Sequence, residues 1–154
     1  MQIRPAKMSD VREMQRLVNS YAEQDKMLAR SLSEMYEHVR DFFVAEDDAG
    51  GLAACGAITV SWEDLGEVRS LAVAQREFGK GLGTGIVRAC LDEARRLEIA
   101  RVFVLTYIPG YFERFGFREV GREELPHKIW ADCIKCPKFP ECGEVPMVVD
   151  LAVR

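Results

Sequence analysis

The chain has 154 residues, enough for one domain that buries about 68–70% of its unfolded-chain surface. Its composition, 48% hydrophobic and 30% charged, is ordinarily globular. The formal net charge of −4 argues against a nucleic-acid-binding face, and no apolar run approaches the roughly 18 residues of a membrane span.

In chain order, residues 2–5 read as a strand. A helix follows from Ser9 or Asp10, either of which can cap it, to about Glu23, with Val11, Met14, Leu17, Val18 and Tyr21 as its buried stripe. Residues 32–39 suggest a second helix. Residues 42–45 and 52–60 are strands around a turn at Asp48-Ala-Gly-Gly51. A strand at about 67–73 leads through a glycine-rich turn into a helix carrying Leu82, Ile86, Cys90, Ala94 and Leu97, widened by Val87 and Leu91. Residues 101–106 are a continuous apolar run suited to a strand buried on both faces. A short helix from Pro109, stopped by Gly116, and a final strand at about 146–151 complete the order. Strands followed by β-α-β-α-β predict an α/β domain with a mixed central sheet flanked by helices. The start Met1-Gln-Ile-Arg-Pro5 lacks the charged-then-apolar pattern of a leader. With no export signal, the odd count of five cysteines reads as reduced thiols in a cytoplasmic protein.

The turn between residues 73 and 82 carries the chemistry. Gly79, Gly81 and Gly83 let backbone N–H groups turn outward with no Cβ in the way. A helix start leaves N–H groups unpaired and carries partial positive charge, so this junction suits a phosphate or pyrophosphate. Two common phosphate loops do not fit. Lys80 is followed by Gly81 rather than Ser or Thr, which excludes a Walker A loop, and Thr84 stands where a dinucleotide fingerprint needs its last glycine.

Arg76-Glu-Phe-Gly79-Lys-Gly81 does satisfy Q/R-x-x-G-x-G/A. It resembles the coenzyme A pyrophosphate loop of the GCN5-related N-acetyltransferases (GNAT). Pro109-Gly-Tyr-Phe-Glu-Arg-Phe-Gly-Phe117 resembles the F-Y-x-x-x-G-F signature near the end of that family's domain. The resemblance implies a GNAT fold over residues 1–154 as a single domain, acetyl-CoA as cosubstrate, and an acyltransferase activity on an amine. It assigns the acetyl and pantetheine contacts to Leu71, Ala72 and Val73. The pyrophosphate contacts fall to Arg76, Gly79, Lys80, Gly81, Leu82, Gly83 and Thr84, although Lys80 also reads as a solvent-facing lysine. Glu67, six residues before Val73, resembles the general base of several members. Strand alternation predicts that Glu67, Arg69, Leu71 and Val73 share one face. The acid departs from the pattern: the family's tyrosine position is Phe112, so Tyr111 or Tyr107 is left as substitute. A thiol pKa near 8.5 also makes thiolate a tolerable leaving group with no dedicated acid.

The acceptor is narrowed by Val102-Phe-Val-Leu-Thr106, Phe112-x-x-x-Gly116-Phe117, Glu124-Leu-Pro126 and Leu28-Ala-Arg30-Ser31. Together these resemble the acetyltransferase domain of N-acetylglutamate synthases, here as a short form without the amino-acid-kinase domain. The resemblance implies acetylation of L-glutamate in arginine biosynthesis, with homodimers common in the family. Another small amine or amino acid is the alternative acceptor. Glutamate's carboxylates call for guanidinium or ammonium partners, for which Arg30, Arg69 and Lys128 are the candidates.

Residues 127–143 form an insert in which His127, Cys133, Cys136 and Cys142 follow H-x5-C-x2-C-x5-C. Those ligand types suit tetrahedral zinc; packed thiols or a redox-responsive disulfide are the competing readings. The insert also admits a second class of function, a coenzyme A-binding regulatory module that senses metal or redox state. Cys55 and Cys90 lie on strand and helix patterns and read as small buried hydrophobes.

Overall fold

The computed structural model describes residues 2–23, 30–126, 129–130 and 143–151. Lys128 and the proposed zinc ligands His127, Cys133, Cys136 and Cys142 lie outside them, as do Leu28 and Ala29. The strands are β1 (Ile3–Pro5), β2 (Phe42–Glu46), β3 (Leu52–Trp62), β4 (Leu65–Val73), β5 (Arg101–Thr106), β6 (Arg118–Glu119) and β7 (Val145–Asp150). They form one sheet in the order β1-β2-β3-β4-β5-β7-β6. Only β4 and β5 run parallel; the other neighbours are antiparallel. The mixed sheet expected from the pattern is therefore present, with β6 as a short edge strand the sequence does not signal.

The sheet is covered on both sides. On one face lie α1 (Val11–Ala22) and α2 (Leu32–Glu37), where Val11, Met14, Val18 and Met35 pack on Phe42, Val44, Cys55, Ala57 and Ala72. The opposite face holds α3 (Leu82–Arg96) and α4 (Pro109–Glu113). There Ile86, Val87, Cys90, Leu91 and Phe112 pack on Ile58, Val68, Val102, Val104 and Met147. Central β3 is buried without a break from Leu52 to Ile58, as a strand covered on both faces must be.

Three expectations need correction. The second helix ends at Glu37, two residues early, because residues 39–41 tighten into a 3-10 turn that feeds β2. Leu97 does not continue the α3 stripe and is 44% exposed. Glu98 adopts φ +63° and reverses the chain, Ile99 N–H donates to the Ala94 carbonyl at 2.9 Å, and the buried Ile99 takes the core position instead.

The third correction shapes the site. In the β3–β4 ladder Ala57 faces Arg69 and Cys55 faces Ala72, so Ser70 and Leu71 stand opposite the single residue Gly56. This is a β-bulge, with Ser70 in the left-handed region at φ +54°. The extra residue inverts the alternation. Glu67 and Arg69 point to the α1–α2 face with Thr59 and Ala57 opposite them, whereas Leu71 and Val73 join Val68 on the α3 face. The predicted common face of Glu67, Arg69, Leu71 and Val73 is thus split in two. A Cβ at Gly56 would come within 2.5 Å of Ile86 Cγ2, so glycine here lets α3 close onto the bulged sheet.

Candidate active site

The β4–β5 ladder holds for only three pairs, Leu65 with Arg101, Gly66 with Val102 and Glu67 with Phe103. Beyond Glu67 the two strands part, while β5 stays paired to β7 along its whole length. Antiparallel strands alternate the edge to which their backbone groups turn. Ala74 N–H donates to the Ala53 carbonyl at 2.8 Å, so the N–H and C=O of Val73 turn the other way, into the opening beside β5. Among the described residues no strand pairs with that edge, and an extended ligand with amides of its own can add to it as a strand would.

At the foot of the opening stands the N-terminus of α3. Gly79 and Gly81 adopt φ +84° and +77°, the left-handed region that favours glycine, and no atom lies within 4 Å of a Cβ built on either. Gly81, the residue before α3, offers no side-chain cap, so the first N–H groups of the helix are left for a ligand, which fits a pyrophosphate. The expected charged groups are differently engaged. Arg76 is turned to the β2–β3 turn, with its Nη2 3.0 Å from Asp47 Oδ2 and 3.2 Å from the Leu52 carbonyl. Its hydrogen bond is the leading cause holding the Asp47 carboxyl below the usual range. Lys80 Nζ donates to Glu77 Oε2 at 2.7 Å, and that bond raises its pKa. Among the described residues, the groups this loop leaves for an anion are therefore chiefly backbone N–H groups. Tyr111 lies here too: a Cβ on Gly83 would come within 2.7 Å of its hydroxyl, which sits against the first turn of α3.

At the upper end, where the strands part, charged groups gather on the α1–α2 face. Glu67 is 18% exposed, and its Oε1 lies 3.7 Å from Arg69 Nε. Arg30 is 7% exposed; its Nη1 donates to Ser70 Oγ at 3.1 Å, and its guanidinium lies over the Phe42 ring at 5.5 Å. Gln15 Nε2 donates to the Arg30 carbonyl and Arg30 N–H donates to Asn19 Oδ1, so α1 fixes the backbone from which the side chain projects. Burial, and then the nearby Arg69 charge, lowers the Arg30 pKa, yet a guanidinium remains charged at neutral pH. Its Nε is buried with no hydrogen-bond partner, the nearest carboxylate being Glu34 at 3.8 Å. An unsatisfied donor on a buried cation is costly, and a ligand carboxylate would satisfy it. Asp41 borders the group; burial raises its carboxyl pKa, opposed by His38, whose Nδ1 is 3.3 Å away, and by Arg30 and Arg69.

The structure thus brings Glu67, Arg69 and Arg30 together and sets Tyr111 apart, at the first turn of α3. Ser70 and Asp41 belong to this charged cluster and escape sequence reasoning, since only the bulge and the 3-10 turn bring them to it. Cys55 and Cys90 are fully buried and free, and burial pushes both thiols up to about 12, so they behave as inert hydrophobes. Among the described residues no helix is long and apolar enough to cross a membrane.

Comparison with known proteins agrees with this geometry. Residues 8–117 match the family model described as the acetyltransferase (GNAT) family. An amino-acid acetyltransferase of Mycobacterium tuberculosis is 43% identical over 120 residues, 77% of this chain and 68% of that protein. A crystal structure from the same organism, solved with CoA and the ligand NLQ, superposes with a TM-score of 0.86 at 33% identity, over 99% of this chain and 100% of the other. The N-acetylglutamate synthase of Neisseria gonorrhoeae, in complex with coenzyme A and N-acetyl-glutamate, gives a TM-score of 0.88 at 28% identity. That match covers 98% of this chain but only 35% of the synthase.

Proposed function

The chain belongs to the GNAT family of acetyltransferases, and from that premise we propose that it transfers the acetyl group of acetyl-CoA directly to the α-amino group of L-glutamate. The observation that carries the acceptor is Arg30, a buried guanidinium with an unsatisfied Nε, beside Glu67 where β4 leaves β5. Similarity to an amino-acid acetyltransferase and to a synthase solved with N-acetyl-glutamate supports the same acceptor.

In this reading acetyl-CoA lies in the opening between β4 and β5, its pyrophosphate on the turn from Gly79 to Thr84 and its pantetheine arm along Leu71–Val73. Arg76 acts by anchoring the loop to Asp47, and Lys80 exchanges Glu77 for the pyrophosphate. The substrate carboxylate bonds to Arg30, which aims the amine at the thioester. Glu67 takes the amine proton, directly or through one water, as the nitrogen attacks the carbonyl carbon. The C–N bond forms, the tetrahedral oxyanion is held by a backbone N–H of β4, and the C–S bond breaks with its electron pair leaving on sulfur. We read residues 1–154 as one acetyltransferase domain with an insert at 127–143, working in the cytoplasm in arginine biosynthesis.

A second reading keeps this chemistry and changes the acceptor to another small amino acid. It is favoured by the cations among the described residues: Arg30 is the buried guanidinium of the cluster, and Arg69 lies half-exposed beside Glu67 much as Arg30 lies beside Glu34. Free-thiol release from acetyl-CoA, measured against L-glutamate, glutamine, aspartate and polyamines, separates the two. Rapid turnover with glutamate and little with the others is expected. Preference for glutamine moves the assignment to the second reading, and silence across the panel with coenzyme A still bound overturns both.

A further inference from the structure

With phenylalanine at the family's tyrosine position, the departing thiolate lacks the family's usual partner on α4, and the structure offers a hydroxyl from the opposite side as well. Tyr21, in the last turn of α1, donates its hydroxyl to the Val73 carbonyl at 2.5 Å. That carbonyl belongs to the free edge of β4, so the hydroxyl has crossed to the opening from the acceptor face. Tyr21 is held there by packing: its ring lies against the cluster of Val18, Met35, Cys55 and Ala72. Tyr111 lies at the first turn of α3, where a Cβ built on Gly83 would come within 2.7 Å of its hydroxyl and 3.4 Å of Val73 Cγ2.

We propose that Tyr21 is a catalytic residue whose hydroxyl turns from Val73 to the coenzyme A sulfur and stabilises the leaving thiolate by a hydrogen bond. This inference rests on the reading that acetyl-CoA occupies the β4–β5 opening. When the C–S bond breaks, the electron pair goes to sulfur, the Tyr21 O–H donates to it, and the thiolate later takes its proton from solvent. Donation rather than full proton transfer follows from acidity. A free thiol has a pKa of about 8.5 and a phenol about 10. Burial raises Tyr21 further, outweighing its bond to Val73, and Cys55 of β3 adds to the rise. The hydroxyl therefore remains protonated and available at neutral pH.

The test is the thiol pKa of bound coenzyme A, followed by the ultraviolet absorbance of its thiolate in the wild-type protein and in Tyr21→Phe, which keeps the ring and loses the donor. A bound thiol at least about one unit more acidic in wild type than in the variant is expected. The kcat for thiol release from acetyl-CoA should fall about 10- to 100-fold, the worth of a hydrogen bond to a charged group, with KM for acetyl-CoA little changed. The same thiol pKa in both proteins overturns the role of Tyr21. So does a variant whose loss lies in acetyl-CoA affinity alone, which would make Tyr21 a wall of the opening. Failure of wild type to bind coenzyme A instead overturns the functional reading on which the proposal depends.

Discussion

Arg30 concentrates the chemical question at the scale of single residues. A guanidinium presents five donors in a fixed fork, and this one is held between the Phe42 ring and Ser70 with Nε unanswered. Arg30→Ala is expected to raise the KM for glutamate about 10- to 100-fold, as loss of a charged hydrogen bond does, while KM for acetyl-CoA stays near wild type. Steady-state kinetics in both substrates checks this, and equal weakening of both would point to a collapsed fold. Arg30→Lys should recover little, since a point charge cannot replace the fork. Glu67 sits one strand position from the parting of β4 and β5. If it removes the amine proton, Glu67→Gln lowers kcat on the order of 10²- to 10⁴-fold with acetyl-CoA affinity preserved; an unchanged kcat would remove it from the mechanism.

Between residues and the whole lies the bulged pair β3–β4. The bulge does two things at once: it turns Leu71 and Val73 to the α3 face, and it brings Ser70 Oγ to Arg30. Gly56 makes the arrangement compatible with α3, whose Ile86 occupies the space a side chain would need. Gly56→Ala must therefore push helix and sheet apart. We expect a loss of about 1–3 kcal/mol, the usual cost of overpacking, seen as a lower urea midpoint with unchanged slope. Because α3 also carries the glycine turn, the same variant should bind coenzyme A more weakly, which equilibrium titration would reveal. A variant of wild-type stability would mean that α3 can shift without cost.

Across the molecule, the ends of three elements are tied by one cation. Arg4 of β1 bonds both carboxylate oxygens of Asp10 at the start of α1 and also reaches Glu46 of β2. The Arg4 hydrogen bond is the leading cause holding the Asp10 carboxyl below its usual value. A carboxyl depressed in the native state stabilises the fold above its unfolded pKa, about 3.9, and that contribution is lost as pH falls through the native value. Wild type should therefore lose stability steeply below about pH 4, whereas Asp10→Asn, less stable at neutral pH, should show a flatter acid limb. Chemical denaturation at a series of pH values tests it, and parallel acid limbs would show that Asp10 carries none of the dependence.

The parts legible in the sequence are those governed by local rules. Helical spacing gave α1 and most of α3, the unbroken apolar run gave β5, and the glycines marked the turn before α3, because periodicity and the missing Cβ act within a few residues. The same rules failed at Leu97, where one left-handed residue redirected the chain, and at β4, where one bulged residue reversed the faces of everything after it. Arg30 could be named from its neighbours Leu28, Ala29 and Ser31, but its burial and its unanswered Nε depend on α1, β2 and β4 meeting around it. Tyr21 shows the division most clearly. At helical spacing it is one more core residue, and only the parting of β4 from β5 puts a carbonyl, and an open edge, within reach of its hydroxyl. Sequence determined most of the segments that become helix or strand and marked the glycine turn before α3. The tertiary structure decided which side chains share a face and which donors are left unpaired, because register and burial are set by contacts between segments far apart in the chain.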